Sequence, residues 1–374
     1  MNAIGGFDRR AFLVMAGAAA FGPPAFAQVA SRDPIIVNAL GGLDDPNVLD
    51  LLDRRRLSDR IVADARASGL TAVNVTMGYV SGGEEPFEQS VREIARWDAR
   101  LRDRPNDLLK VLTAADIVRA KRERKIGIIY GFQNAAMLGA DASRVEAFAD
   151  LGVRVVQLTY NPPNALGDGA MAPGNRGLTP FGRAVVERLN AARVMVDLSH
   201  SGERTCLDAA RASRQPVSIN HTGCRALTDL PRNKSDAELR LVASRGGFLG
   251  IYFMPFLSPD SLATAADVVA HIDHAVNVCG EDHVGIGTDG GTTGVDDMAA
   301  FRARMREQVA QRRAAGIGAR GENPDTLPFV ESLSGPEQFR RLIALLERRG
   351  YGGRRIEKIM GLNFLSFARE VWGA

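Results

Sequence analysis

The chain has 374 residues, of which 45% are hydrophobic and 24% charged, the balance of an ordinary globular protein. Its formal charge of +3 is near neutral for that length, and no basic block or aromatic–basic interleaving occurs, which excludes nucleic acid as an expected partner. Three cysteines, Cys206, Cys224 and Cys279, cannot all pair within one chain and have no C-x-x-C spacing; buried free thiols are expected, with a Cys206–Cys224 bridge left open.

The first element in chain order is a targeting segment. Arg9 and Arg10 stand in FDRRAFLVMAG, an apolar run from Ala11 to Phe21 follows, and Ala25-Phe26-Ala27 supplies a small-x-small cleavage site. These are the parts of a secretory signal, and the paired arginines point to the twin-arginine (Tat) route. The apolar run is shorter than the roughly 20 residues needed to span a bilayer. Residues 1–27 are therefore read as a cleaved Tat signal, the Tat machinery as the export partner, and the periplasm as the destination of a single domain over residues 28–374.

From residue 33 the chain repeats one unit: a β-rich run, a polar or Gly-rich turn, and a helical stretch. The runs are Ile35–Leu40, Ala72–Met77, Ile126–Gln133, Val153–Tyr160, Val194–His200, Pro216–His221, Phe248–Phe253 and Val284–Asp289. Their Val and Ile content suits strands buried on both faces. Helical patterns lie between them at Arg56–Ser68, Phe87–Leu101, Ala114–Lys121, Arg144–Leu151, Pro180–Ala191, Glu203–Ala212, Asp236–Ser244 and Leu262–Val278. Eight alternations predict a (β/α)8 TIM barrel rather than a doubly wound sheet. Residues 298–333, with Gly316, Gly318, Gly321 and Pro324, read as a loop-like lid or interface arm. Pro336–Arg349 and Arg355–Glu370 read as amphipathic helices broken by Gly350, Gly352 and Gly353, so residues 298–374 form an extension packed on the barrel.

Gln133, Tyr160, His200, His221 and Asp289 each fall at the C-terminal end of a predicted strand, the barrel face on which active sites are built. His200 closes DLSH and His221 closes SINH, one strand-to-strand step apart, so their neutral imidazoles can share a metal ion. Two hydrogen-bonded histidines without metal are the competing arrangement. His271, His274 and His283 read as structural.

The motifs VDLSH, HTGCRAL, LPRNKSD and GIGTDGG, together with LGVRVVQLTYN, GLTPFGRAVV and IMGLNFL, resemble the membrane dipeptidases, peptidase family M19, in order and spacing from about Ile35 to the C-terminus. The resemblance implies a metal-dependent hydrolase. In that family an H-x-D on the first strand binds one zinc, a Glu bridges two zincs, and two histidines bind the second. It implies His200 and His221 as metal ligands, Arg232 as the clamp for the substrate carboxylate, and Asp289 as the proton shuttle. The family often forms homodimers, and a homodimer is expected here by that analogy alone.

Three positions depart from the family. Leu40-Gly41-Gly42 stands where H-x-D belongs, Gln133 replaces the bridging Glu, and Tyr160 replaces a histidine that stabilises the tetrahedral intermediate. Leu and Gly side chains cannot bind metal, and a neutral amide cannot hold two cations together. One zinc rather than two is expected, on His200 and His221, with Asp289 as an alternative third ligand. Asp44 and Asp45 lie in a loop at the right end of the barrel to replace the lost pair, but loop carboxylates are usually solvated. Tyr160 keeps an O–H to donate to an oxyanion, and Gln133 and Tyr160 join Arg232 as substrate contacts. The reading is an exported metal-dependent dipeptidase-like hydrolase acting on a dipeptide or small peptide-like amide. The alternatives are a same-fold enzyme tailoring a peptide-like metabolite and a catalytically inactive peptide-binding paralogue.

Overall fold

Short Val- and Ile-rich runs with no polar face form strands only where both faces are covered, and here they assemble one parallel sheet. In the computed structural model, residues 33–48, 57–80, 85–314 and 323–373 are described; the predicted signal at residues 1–27 lies outside them. The strands are β1 (Val37–Gly41), β2 (Ala72–Thr76), β3 (Leu108–Lys110), β4 (Ile126–Phe132), β5 (Val153–Gln157), β6 (Met195–Asp197), β7 (Ser218–Thr222), β8 (Phe248–Ile251) and β9 (Val284–Ile286). The order β1-β2-β4-β5-β6-β7-β8-β9 runs around the barrel, and β3 pairs with β4 from outside that path. The last strand returns to the first. Asn38 Nδ2 donates to Thr288 Oγ1 at 2.8 Å, Thr288 N donates to Asn38 Oδ1 at 2.8 Å, and Asp289 N donates to Leu40 O at 2.9 Å. The eight-stranded (β/α)8 barrel is thus the observed fold, with β3 as an addition outside the expected eight.

The helices on the outer face are α1 (Asp59–Ala67), α2 (Pro86–Asp103), α3 (Ala114–Glu123), α4 (Arg144–Asp150), α5 (Pro180–Ala191), α6 (Glu203–Ala212), α7 (Asp236–Ser244) and α8 (Ala265–Cys279). Their starts follow from capping chemistry. The Thr179 side chain accepts from Gly182 N ahead of Pro180, and Ser235 and Glu238 form a capping box at the head of α7. No helix among the described residues is long and apolar enough to cross a membrane.

The extension differs from its loop-like expectation. Residues Met298–Ala314 form a helix, α9, followed after residue 322 by a segment that lies beside it. MAAFRARMREQVAQRRA contains good helix formers but no broad apolar stripe, so amphipathic periodicity could not reveal it. Beyond it run α10 (Gln338–Arg348), α11 (Gly353–Glu357), a π-helical turn (Lys358–Leu362) and α12 (Asn363–Trp372). Gly353 opens α11 rather than breaking the chain. Phe364 and Phe367 of α12 pack on Phe248 of β8, and Trp372 Nε1 donates to Arg154 O at 3.1 Å, closing the barrel away from the site.

Cys206, Cys224 and Cys279 are free thiols. His274 bonds Asp236 through Nε2 at 2.7 Å, and His283 bonds Gly247 O through Nδ1 at 2.8 Å. His271 is buried, accepts from Cys224 N at Nδ1 (2.8 Å), and therefore donates from Nε2 to Leu257 O (3.0 Å). Burial pushes its pKa down to about 4. The unfolded value is about 6.5, so the unfolded chain binds the extra proton first as pH falls. This contribution to stability is complete above pH 6.5 and is lost between about 6.5 and 4, up to roughly 3 kcal/mol. Thermal unfolding of wild type and His271→Gln at pH 7 and pH 4 should show a gap that narrows in acid. A gap independent of pH would rule the linkage out.

Candidate active site

The site is built where β4 to β9 hand over to their loops. Gln133 directly follows β4, Tyr160 lies three residues beyond β5, His200 three beyond β6, and Asp289 three beyond β9; His221 is inside β7. Asp197 at the end of β6 sets the spacing of the two histidines. Its Oδ1 accepts from Ser199 N (3.0 Å), Ser199 Oγ (2.5 Å) and Asn220 N (3.0 Å), tying the turn after β6 to strand β7. Ser199 Oγ in turn accepts from His221 N at 3.1 Å.

His200 Nε2 and His221 Nε2 face each other at 2.9 Å. Tyr160 stacks on His200 with ring centroids 4.2 Å apart and an interplanar angle of 24°. Asn161 Oδ1 accepts from His200 Nδ1 at 2.8 Å. That bond places the His200 proton on Nδ1 and leaves its Nε2 as an acceptor, so His221 Nε2–H donates to it. His221 Nδ1 is then a buried lone pair with no hydrogen-bond partner. Burial, followed by the charge of Arg232, holds both imidazoles well below the usual histidine range, so both are neutral at pH 7.

Arg232, in the loop after β7, is 7% exposed. Its Nη1 donates to Ser199 O at 2.7 Å, whereas its buried Nη2 has no hydrogen-bond partner. A guanidinium with one arm anchored and one unsatisfied is suited to a carboxylate. Asp289 has a left-handed backbone with φ +60, a conformation that Asp tolerates and that is common at functional sites. Burial raises its pKa to about 6, against the opposing pull of Arg232. Burial, then the Asp289 charge, raises the Tyr160 pKa, so its O–H remains a donor at working pH.

The remaining positions lie on the other side of the mouth. Gln133 Nε2 donates to Thr76 Oγ1 at 2.7 Å. A Cβ added at Gly42 would lie 2.6 Å from Asp44 Oδ1, so the Asp44 carboxylate occupies the space of a residue-42 side chain. Asp45 is occupied otherwise: its Oδ1 accepts from Asn47 N (2.9 Å) and Asn47 Nδ2 (2.7 Å), closing a turn. Leu40, Gly42, Asp44, Gln133 and Asp289 line a cavity of about 880 Å3.

These donors do not fit a two-zinc centre. Leu40, Gly41 and Gly42 offer no side-chain ligand, and Gln133 offers a neutral amide already donating to Thr76. Among the described residues no three of His, Cys, Asp and Glu group around a metal position. The groups facing their far ring nitrogens divide the two histidines. A metal-binding histidine normally donates its other N–H; His200 has Asn161 for this, but His221 Nδ1 has no acceptor. Asn161, Ser199 and Asp197 escaped the sequence reading, although each adjoins or lies within a motif that was read, LTYN or VDLSH.

The family model for membrane dipeptidase (Peptidase family M19) matches residues 64–315. The dipeptidase tcpJ of Claviceps purpurea is 29% identical over 303 residues, covering 77% of this chain and 63% of that protein. The chain thus spans less than two thirds of that relative's length. An amidohydrolase from Pseudomonas aeruginosa superposes with a TM-score of 0.76 at 32% identity, covering 91% of this chain and 98% of the other. A metallo peptidase from Rhodobacter sphaeroides, liganded with a phosphinate mimic of L-Ala-D-Ala, shares the fold with a TM-score of 0.74 at 20% identity, covering 91% and 100%.

Proposed function

The chain belongs to the membrane dipeptidase family, peptidase family M19, and from that premise we propose that it is an exported hydrolase of dipeptides or small peptide-like amides that binds one zinc rather than two. The observation that carries this reading is Arg232, buried beside the histidine pair with Nη2 unpaired. A buried guanidinium with one arm unsatisfied is costly to keep unless a ligand completes it. A substrate bearing a free carboxylate does so.

The residues then divide the work. Arg232 holds the carboxylate and fixes the substrate's direction. Asp289, with a pKa of about 6, is ionised at neutral pH yet basic enough to take a proton from attacking water and return it to the leaving amine. Tyr160, rigid against His200, donates its O–H to the carbonyl oxygen as charge develops there. His200 and His221 would hold the single ion, whose general chemistry is to acidify bound water. Retention of this clamp and proton carrier beside changed metal ligands also supports the tailoring of a peptide-like metabolite.

Two measurements on the exported, mature protein test the proposal. Metal analysis is expected to find one zinc per chain, and a dipeptide panel with added zinc is expected to show turnover. Two tightly bound ions would overturn the single-ion assignment. No turnover on any peptide or peptide-like amide would leave a binding protein instead.

A further inference from the structure

The cavity of about 880 Å3 is far larger than the catalytic residues require, near the upper end of the range of about 300–1,000 Å3 found for small-molecule pockets. One end holds Gln133, Asp289 and the Gly41–Gly42 strand end; elsewhere Trp97, Phe253, Phe256, Phe301, Met305 and Phe329 line it, together with the charged Glu93, Arg100 and Arg304. These apolar groups come from separate parts of the chain: Trp97 from α2, Phe253 and Phe256 from beyond β8, and Phe301 and Met305 from successive turns of α9. Phe301 and Phe329 pack on each other with centroids 5.6 Å apart. Ion pairs hold this arm together, Arg302–Glu331 at 2.5 Å and Arg306–Asp325 at 2.8 Å. His200, His221 and Arg232 do not line this cavity, whereas Asp289 does.

That arrangement has a direction. Asp289 lies within reach of the Arg232 charge and lines the cavity, so a substrate with its carboxylate on Arg232 and its amide at Asp289 would carry its acyl side toward the aromatic lining. Leu40, Gly41 and Gly42, standing in place of H-x-D, line that end of the cavity, with the Asp44 carboxylate in the space of a residue-42 side chain. We propose that the preferred substrate is an amino acid amide-linked to a large apolar acyl unit, held by its carboxylate on Arg232 and by its acyl unit among Phe256, Phe301 and Phe329. Two sources share this chemistry: a dipeptide with a large apolar amino-terminal residue, and an N-acyl amino acid. Hydrolysis adds water across the amide C–N bond, releasing the apolar carboxylic acid and the free amino acid. The inference rests on the hydrolase reading for its reaction and on the cavity alone for its ligand.

The test compares glycyl-alanine, phenylalanyl-alanine, phenylacetyl-alanine and N-dodecanoyl-alanine, each with L- and D-alanine, on the full mature protein with zinc. At least one large apolar acyl compound is expected to exceed glycyl-alanine at least tenfold in kcat/KM. Phe301→Ala and Phe256→Ala, on different elements, are each expected to lower that ratio by about tenfold. The phenylalanyl–phenylacetyl comparison separates the two sources. Glycyl-alanine as the best substrate, or a ratio unchanged in both variants, would overturn the assignment while leaving hydrolysis standing. If nothing is turned over, calorimetric binding of N-dodecanoyl-alanine against acetyl-alanine decides. Tighter binding of the long chain that weakens in Phe301→Ala supports the pocket although the hydrolase reading has failed; equal or absent binding rejects it.

Discussion

Arg232→Met is expected to lower kcat/KM by about 30- to 5,000-fold on substrates with a free carboxylate, the equivalent of about 2–5 kcal/mol for removing one partner of a buried charged hydrogen-bonded pair. The guanidinium is buried, one arm is anchored on Ser199 O, and the other is available. Methionine keeps most of the stem's packing and removes the charge. Because Arg232 also holds the Ser199 carbonyl, part of any loss could arise from local rearrangement next to His200. Pairing the variant with carboxamide-blocked substrate separates the two effects. If Arg232 acts on the carboxylate, wild type loses activity on the blocked substrate and the variant loses little more. An equal penalty on free and blocked substrates would show a structural role. Arg232→Lys should recover only part of the activity, since a point charge cannot reproduce a fork with one arm on the backbone.

Asp289→Asn is expected to reduce kcat by about 10²- to 10⁴-fold with a much smaller change in KM, the usual size of a lost general base. Asparagine is the informative replacement because residue 289 has φ +60, which Asn accepts and Ala does not. Asp289→Ala would mix a chemical loss with backbone strain. Unaltered kcat in a folded Asp289→Asn protein would remove Asp289 from the chemistry and leave Tyr160 and the histidine pair to account for it.

Much of the molecule was readable from residues, for reasons that differ by element. Val- and Ile-rich runs such as Ile126–Phe132 are buried on both faces and revealed themselves by composition. The strand tops bearing Gln133, His200, His221 and Asp289 followed from them. β3 did not, because Leu-Leu-Lys is too short to carry a pattern. α9 did not, because its helix lacks an apolar stripe. Sequence could name His200 and His221 but not their unequal surroundings, since the Asn161 partner of one and the orphan Nδ1 of the other are products of packing. It likewise could not place Asp44 over Gly42, a contact made by a loop folding back on itself.

The barrel seam carries a consequence for how the site comes into being. Asn38 and Thr288 are 250 positions apart, and the hydrogen bonds joining them are among those that bring β9 back to β1. Closing so long a span is entropically unfavourable, so contacts between neighbouring strands have a head start over it. Leu40 and Asp289 are joined across the same seam. Asp289 therefore reaches its place only when the two ends of the barrel meet, and a chain halted with the other strands in register would look largely folded while lacking an assembled candidate site.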